Sequence, residues 1–235
     1  MLSERAQEIK SNIEKINAMI AESADSCGRN ASEIKLMAVS KTKPVEDIQA
    51  AYDAGQRLFG ENRINEAAEK FKQLPADCEM HMIGHLQSNK AKLAVESTSC
   101  VQSIDKLSTA AELNKRAAAL SISLDYLVEI NTSGENSKNG YPSFESFTND
   151  FDSFLNLENL RLRGLMTIAP FTDDEEAVRK SFSELYGYYV KLQNMAGNKN
   201  VDILSMGMSS DFKIAIEEGS TLVRVGTAIF GSRNY

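Results

Sequence analysis

The sequence has little of what would staple, export or embed a chain. Only three of its 235 residues are cysteine, and Cys27, Cys78 and Cys100 stand far apart with no Cys-x-x-Cys pair. That argues against a disulfide framework and fits reduced thiols in a cytoplasmic protein. No apolar run approaches the roughly 18 residues that span a bilayer. The opening MLSERAQEIK is charged and lacks the apolar core of a signal peptide, so neither export nor a membrane partner is expected. Positive charge is scarce: 26 Lys and Arg against 33 Asp and Glu give a net charge of -7. Such a balance weighs against a polyanion, and no nucleic-acid partner is expected. There are two histidines. His81 and His85 in HMIGH stand four apart, but the segment reads as a strand and no third histidine exists, so no metal is expected. Pro/Gly/Ser-rich linkers and low-complexity tracts are missing, and a single domain over residues 1–235 is the expectation.

What is present is rhythm. Ile9, Ile13, Ile16 and Ile20 recur at helical spacing, and the pattern breaks near Gly28. From Ile34 onward, short β-branched and apolar runs alternate with amphipathic stretches. IKLMAVS, RLFGE, MHMIG, CVQSI, LDYLVEI, LRLRGLMTI, VDILSMG and TLVRVGTAIF read as strands. Between them Pro44 suits a first helical turn and Gly55 a stop. Ile64, Ala68, Phe71 and Leu74 form one stripe, and Val178, Phe182, Leu185, Tyr189 and Leu192 another. Ser143 is placed to cap a helix whose face is Phe144, Phe147, Phe151 and Phe154. These stripes read as core-facing surfaces. Such alternation implies parallel strands joined by helices. Eight units after an extra N-terminal helix fit a (β/α)8 TIM barrel; an open doubly wound sheet has the same rhythm, but the count of eight favours closure.

In a barrel, chemistry gathers at the C-terminal strand ends. In order these carry Lys41, Glu61 and Asn62, His85, Ser103, Asn131, Thr167, Ser209 and Thr227. Lys41 shares period-two parity with Met37 and Val39, so it should face the interior. Partial desolvation there lowers an amine's pKa and readies it for a carbonyl; the plainer alternative is a strand-end lysine reaching into water. SMGMSSDF places Ser209 and Ser210 at the start of a short helix, and VRVGTAIFG places Gly226 and Thr227 at the end of the eighth strand. Loops after strands seven and eight are the usual phosphate seat of this fold, although such turns are often merely structural. A lysine on strand one opposite that seat suggests a phosphorylated carbonyl compound held as an imine, with pyridoxal phosphate the obvious candidate. Arg224 has the parity of Gly226 and should lie deeper on the inner face. It either forms a buried ion pair or faces the pyridine nitrogen, where a permanent cation makes the ring a poor electron sink. The loop NTSGENSKNG is either a rim of the site or a solvated connection.

The segments LMAVSKTKP, FGENRINEA, HMIGHLQSNK, NTSGENSKNG, RGLMTI, LSMGMSSD and VRVGTAIFG together resemble the pyridoxal phosphate homeostasis proteins, from about Ile34 to Tyr235. That family resembles the N-terminal barrel of alanine racemase. The resemblance implies pyridoxal 5'-phosphate held as an internal aldimine on Lys41. It further implies phosphate contacts from Ser209, Gly226 and Thr227, Arg224 at the pyridine nitrogen, and Asn62 along the ring. Met80 stands where the family often has an aromatic, and Ser210 where it often has an aspartate. The implied role is cofactor homeostasis and supply to pyridoxal-phosphate-dependent apoenzymes, by a monomer without catalytic turnover. The alternative is an amino-acid racemase or related enzyme. The alanine racemase design needs a second base, a tyrosine from an extra β-domain of a partner subunit, and no room for that domain is expected after the eighth strand.

Overall fold

The computed structural model describes residues 3–135, 138–197 and 200–232. Eight parallel strands close into a barrel in chain order. They are β1 Lys35–Val39, β2 Leu58–Glu61, β3 Glu79–Met82, β4 Cys100–Ile104, β5 Leu124–Glu129, β6 Leu160–Met166, β7 Ile203–Ser205 and β8 Leu222–Val225. Closure is made by β1 against β8, with Met37 opposite Arg224 and Ala38 opposite Val225. Each of the eight strand-like runs of the sequence overlaps one of these strands, and the open-sheet alternative is set aside.

Helix α1, Glu4–Ser26, precedes the barrel. Its N-terminus is capped by Ser3, whose hydroxyl accepts the Ala6 N–H at 3.2 Å. Ile9, Ile13, Ile16 and Ile20 are all buried, each contributing on the order of 1.5–3 kcal/mol relative to an exposed side chain. The remaining helices are α2 Val45–Asp53, α3 Ile64–Phe71, α4 Ala91–Ser97, α5 Leu107–Ala119, α6 Phe144–Thr148, α7 Phe151–Leu155, α8 Glu175–Met195, α9 Phe212–Glu217 and α10 Thr227–Phe230. No helix among the described residues is long and apolar enough to cross a membrane.

Strand alternation divides the apolar residues into two cores. Met37, Leu58, Cys100, Leu127, Met166, Ile203 and Leu222 fill the barrel interior. Their chain neighbours Ala38, Phe59, Val101, Val128, Leu165, Leu204 and Val223 point outward into the larger core beneath the helices.

Three local expectations need correction. Pro44 lies just before α2 as its N-cap residue rather than in its first turn. The phenylalanine stripe is two short helices, α6 and α7. Ser143 caps the first by accepting the Ser146 N–H at 3.1 Å, and the chain breaks at Asn149 and Asp150, where Asp150 accepts the Tyr141 hydroxyl at 2.9 Å. A side chain engaged sideways competes with helix continuation; the four phenylalanines are still buried. Finally, the eighth strand stops at Val225, and Thr227–Phe230 of the strand-like run is helical.

Candidate functional site

The six residues singled out by the sequence all line one cavity of about 500 Å³ at the C-terminal mouth of the barrel: Lys41, Asn62, Ser209, Arg224, Gly226 and Thr227. Clefts of similar volume lie beside it, between α1 and the 42–47 segment and between the β2–α3 and β3–α4 connections. The mouth cavity differs from both in having a buried arginine in its wall.

Lys41 sits half-buried in the turn after β1. Met37 below it is in the barrel core and Val39 lines the cavity wall, so the three share the inner face as their spacing predicts. Lys43, which the sequence reading passed over although it continues the same period, also lines the cavity and donates to the Ser232 carbonyl at 3.0 Å.

Arg224 is 4 % exposed. Its Nη1 donates to the Ser205 hydroxyl and its Nη2 to the Thr167 carbonyl, both at 2.7 Å. Burial pulls the guanidinium down to about 10, against the opposing attraction of Asp211 and Glu129. Neither carboxylate is hydrogen-bonded to it, so the ion-pair alternative is replaced by neutral acceptors. From Ser205 the chain of bonds runs on through the barrel. The Ser205 hydroxyl donates to Gln102 Oε1 at 2.6 Å, and Gln102 Nε2 faces His81 Nδ1 at 2.9 Å. Because an amide nitrogen only donates, His81 Nδ1 accepts and the ring is neutral; burial pushes its pKa down to about 3. His85 is held elsewhere, with Nδ1 3.0 Å from Asp105, so the two histidines do not act as a pair. Glu129, 5 % exposed, is pushed up to about 7 by burial despite Arg224.

The putting together of strands seven and eight departs from expectation. Ser209 and Ser210 precede α9 instead of opening it, because Asp211 occupies the cap position and turns its carboxylate back to the Met208 N–H at 2.5 Å. A carboxylate there disfavours an anion at the start of α9. Ser209 Oγ instead accepts the Gly226 N–H at 3.3 Å, tying the two loops together. Gly226 lies between β8 and α10, and a Cβ on it would lie 3.2 Å from the Val39 carbonyl oxygen, so this junction packs closely against β1. Thr227 opens α10 and is exposed.

Asn62 follows β2 and is exposed at the rim. Its backbone is pressed against Gly84, where a Cβ would meet the Asn62 carbonyl oxygen at 2.3 Å. Ile83, Ile168, Met208 and the fully exposed Phe171 add apolar surface around the mouth. The loop NTSGENSKNG reaches this end too: Lys138 donates to the Ala169 carbonyl at 2.7 Å, while Asn136 and Ser137 lie outside the described residues, as do residues 233–235.

Residues 6–234 match the model of the alanine racemase N-terminal domain. The pyridoxal phosphate homeostasis protein of Vibrio cholerae is 43 % identical over 234 residues, covering 97 % of each chain. A crystal structure of an unknown protein from Bifidobacterium adolescentis is 34 % identical with a TM-score of 0.90 over 98 % of both chains. PipY of Synechococcus elongatus, in a structure with pyridoxal phosphate bound, is 36 % identical with a TM-score of 0.79, covering 90 % of this chain and all of its own. The chain belongs to the pyridoxal phosphate homeostasis protein family, built on the barrel of the alanine racemase N-terminal domain.

Proposed function

We propose that this chain binds pyridoxal 5'-phosphate at the barrel mouth, holds it through Lys41, and serves its homeostasis and supply to dependent apoenzymes in the cytoplasm, as a monomeric single-domain protein without catalytic turnover. The observation that carries this reading is the meeting of one amine, Lys41, with one buried guanidinium, Arg224, in a cavity of about 500 Å³. The residues present suit the group. Bound there, pyridoxal phosphate supplies an aldehyde that condenses with a primary amine. Lys41 offers that amine. Ser209 and Thr227 offer hydroxyls to a phosphate, with the Gly226 N–H, here donated to Ser209 Oγ, beside them, and Ile83, Ile168 and Met208 offer apolar surface to a ring. Arg224, anchored by Ser205 and Thr167, keeps a donor and a positive charge toward a ring nitrogen. A fixed cation there opposes protonation of that nitrogen, which weakens carbanion chemistry and favours storage over turnover. The named role of the Vibrio cholerae relative and the ligand in PipY support the same reading.

The test is to mix purified protein with pyridoxal phosphate, reduce with borohydride and map the labelled peptide. Label on Lys41 is expected; label elsewhere, or none, sinks the assignment. Incubation of the loaded protein with alanine or serine enantiomers in deuterated water should give no rapid exchange of the α-proton. Exchange at ordinary enzyme rates would make it an amino-acid racemase or related enzyme instead.

A further inference from the structure

Both chain neighbours of Lys41 are gripped by three charged side chains. Lys70, on α3, is 6 % exposed and donates to Glu61 Oε1 at 2.6 Å, to Glu66 Oε1 at 2.7 Å and to the Ser40 carbonyl at 2.8 Å. The Ser40 hydroxyl donates to Glu61 Oε1 at 2.8 Å. Glu66 Oε1 also accepts the Thr42 N–H at 2.6 Å. One cluster therefore holds Ser40 from one side and Thr42 from the other, and Lys41 is the residue between them. None of the three groups is needed to line the wall of the mouth cavity.

Two features say that this cluster does more than glue α3 to the barrel. Thr42 has φ 64, the left-handed region that a β-branched residue enters only when its surroundings impose it. Two bonds hold it there: the Lys43 N–H closes the turn onto the Ser40 carbonyl at 3.0 Å, and the Thr42 N–H is tied to Glu66. The cluster is also costly by itself. Two carboxylates share one ammonium, Glu61 is fully buried, and its Oε2 has no hydrogen-bond partner among the described residues. Burial accordingly raises the Glu61 pKa, although Lys70 and Ser40 oppose the shift. A buried ion cluster of this kind adds little net stability over apolar packing.

We propose that Glu61, Lys70 and Glu66 form a positioning device for Lys41: they lock the 40–42 turn so that the amine meets an aldehyde ligand in one orientation, and so set how tightly that ligand is retained without touching it. The inference rests on the reading of Lys41 as the covalent anchor. It separates two parts of binding. Contacts to the phosphate come from the loops after β7 and β8 and contacts to the ring from Asn62, Ile83, Ile168, Met208 and Arg224, all outside the turn, whereas the bond to the amine depends on the turn, where a displacement of about 1 Å is enough to matter.

The experiment titrates wild-type protein and Glu66→Ala with pyridoxal phosphate and with 4-deoxypyridoxine phosphate, which has the same ring and phosphate but no aldehyde. In Glu66→Ala, pyridoxal phosphate should bind about 10-fold more weakly while the deoxy compound stays within about twofold. Glu66→Gln, whose amide oxygen still accepts the Thr42 N–H, should recover to within about threefold of wild type. If Glu66→Ala does not fold, Ser40→Ala, which removes one hydroxyl from the cluster, carries the same comparison. A parallel fall in both affinities assigns the cluster a purely structural role and overturns the proposal, as does no change in either. If wild-type protein binds the deoxy compound yet yields no borohydride label at Lys41, the anchor reading fails and this proposal with it.

Discussion

Arg224 keeps its charge in the least hospitable part of the barrel, and the residues around it divide that burden unequally. Its hydrogen bonds go to a hydroxyl and a carbonyl, while Glu129 supplies charge from a distance and is itself pushed up to about 7 by burial. The folded chain thus holds the Glu129 proton more tightly than the unfolded chain, whose carboxyl titrates near 4.5. The contribution of Glu129 to stability therefore declines as pH rises from 4.5 to about 7 and is fully lost above that. Glu129→Gln should be more stable than wild type at about pH 8, by roughly 1–3 kcal/mol, with the gap closing near pH 4.5. Urea midpoints at the two pH values measure it. At this scale the sequence was informative where parity operates: Met37, Val39 and Lys41 on the inner face of the first strand, Arg224 below Gly226 on the inner face of the eighth. It was silent on Ser205, Gln102 and His81, because the Ser205–Gln102 bond joins residues 103 positions apart. No local pattern encodes that pairing.

Among elements, length and neighbours decide what a pattern becomes. The β-branched run after Arg224 looks like more strand, yet past Val225 the β1–β8 pairing has ended and the chain turns into α10. The bonds Ile229 N–H to Gly226 O and Phe230 N–H to Gly226 O, at 3.0 and 2.9 Å, replace the ladder. A propensity cannot show where a partner strand stops. The β2–α3 and β3–α4 connections give a sharper test, since they meet at backbone contact. Gly84→Ala must displace the Asn62 carbonyl, 2.3 Å from the new methyl. The expected cost is about 1–3 kcal/mol of stability and a loss of ligand affinity of about tenfold or more. Chemical denaturation and ligand titration report the two separately; unchanged affinity would show that Asn62 lies outside the binding surface.

For the whole molecule, eight apolar runs with helical stripes between them sufficed to indicate a closed barrel, because each strand needs the same inner and outer faces. The fastening of α1 was not visible in that count. Arg5 donates to Asp47 at 3.1 and 2.6 Å and to the Phe230 carbonyl at 2.8 Å, and Asn12 donates to the Ile229 carbonyl at 3.0 Å. Helix α1 thus joins α2, just beyond Lys41, to α10, which begins at Thr227. Arg5 is partly exposed, so Arg5→Ala should lower stability by only about 1 kcal/mol, read as a shift in Tm. An unchanged Tm would reduce the clamp to a surface contact.

The pairing of β1 with β8 has a kinetic consequence. Because Lys41 follows one strand of that seam and Arg224 sits on the other, an opened ring separates the two residues proposed to hold the ligand. A ligand that touches both strands loses contacts when the seam parts, so occupancy favours the closed ring. Protease resistance should rise with the free pyridoxal phosphate concentration, and the lifetime of the chain becomes a record of how much it has been given to hold.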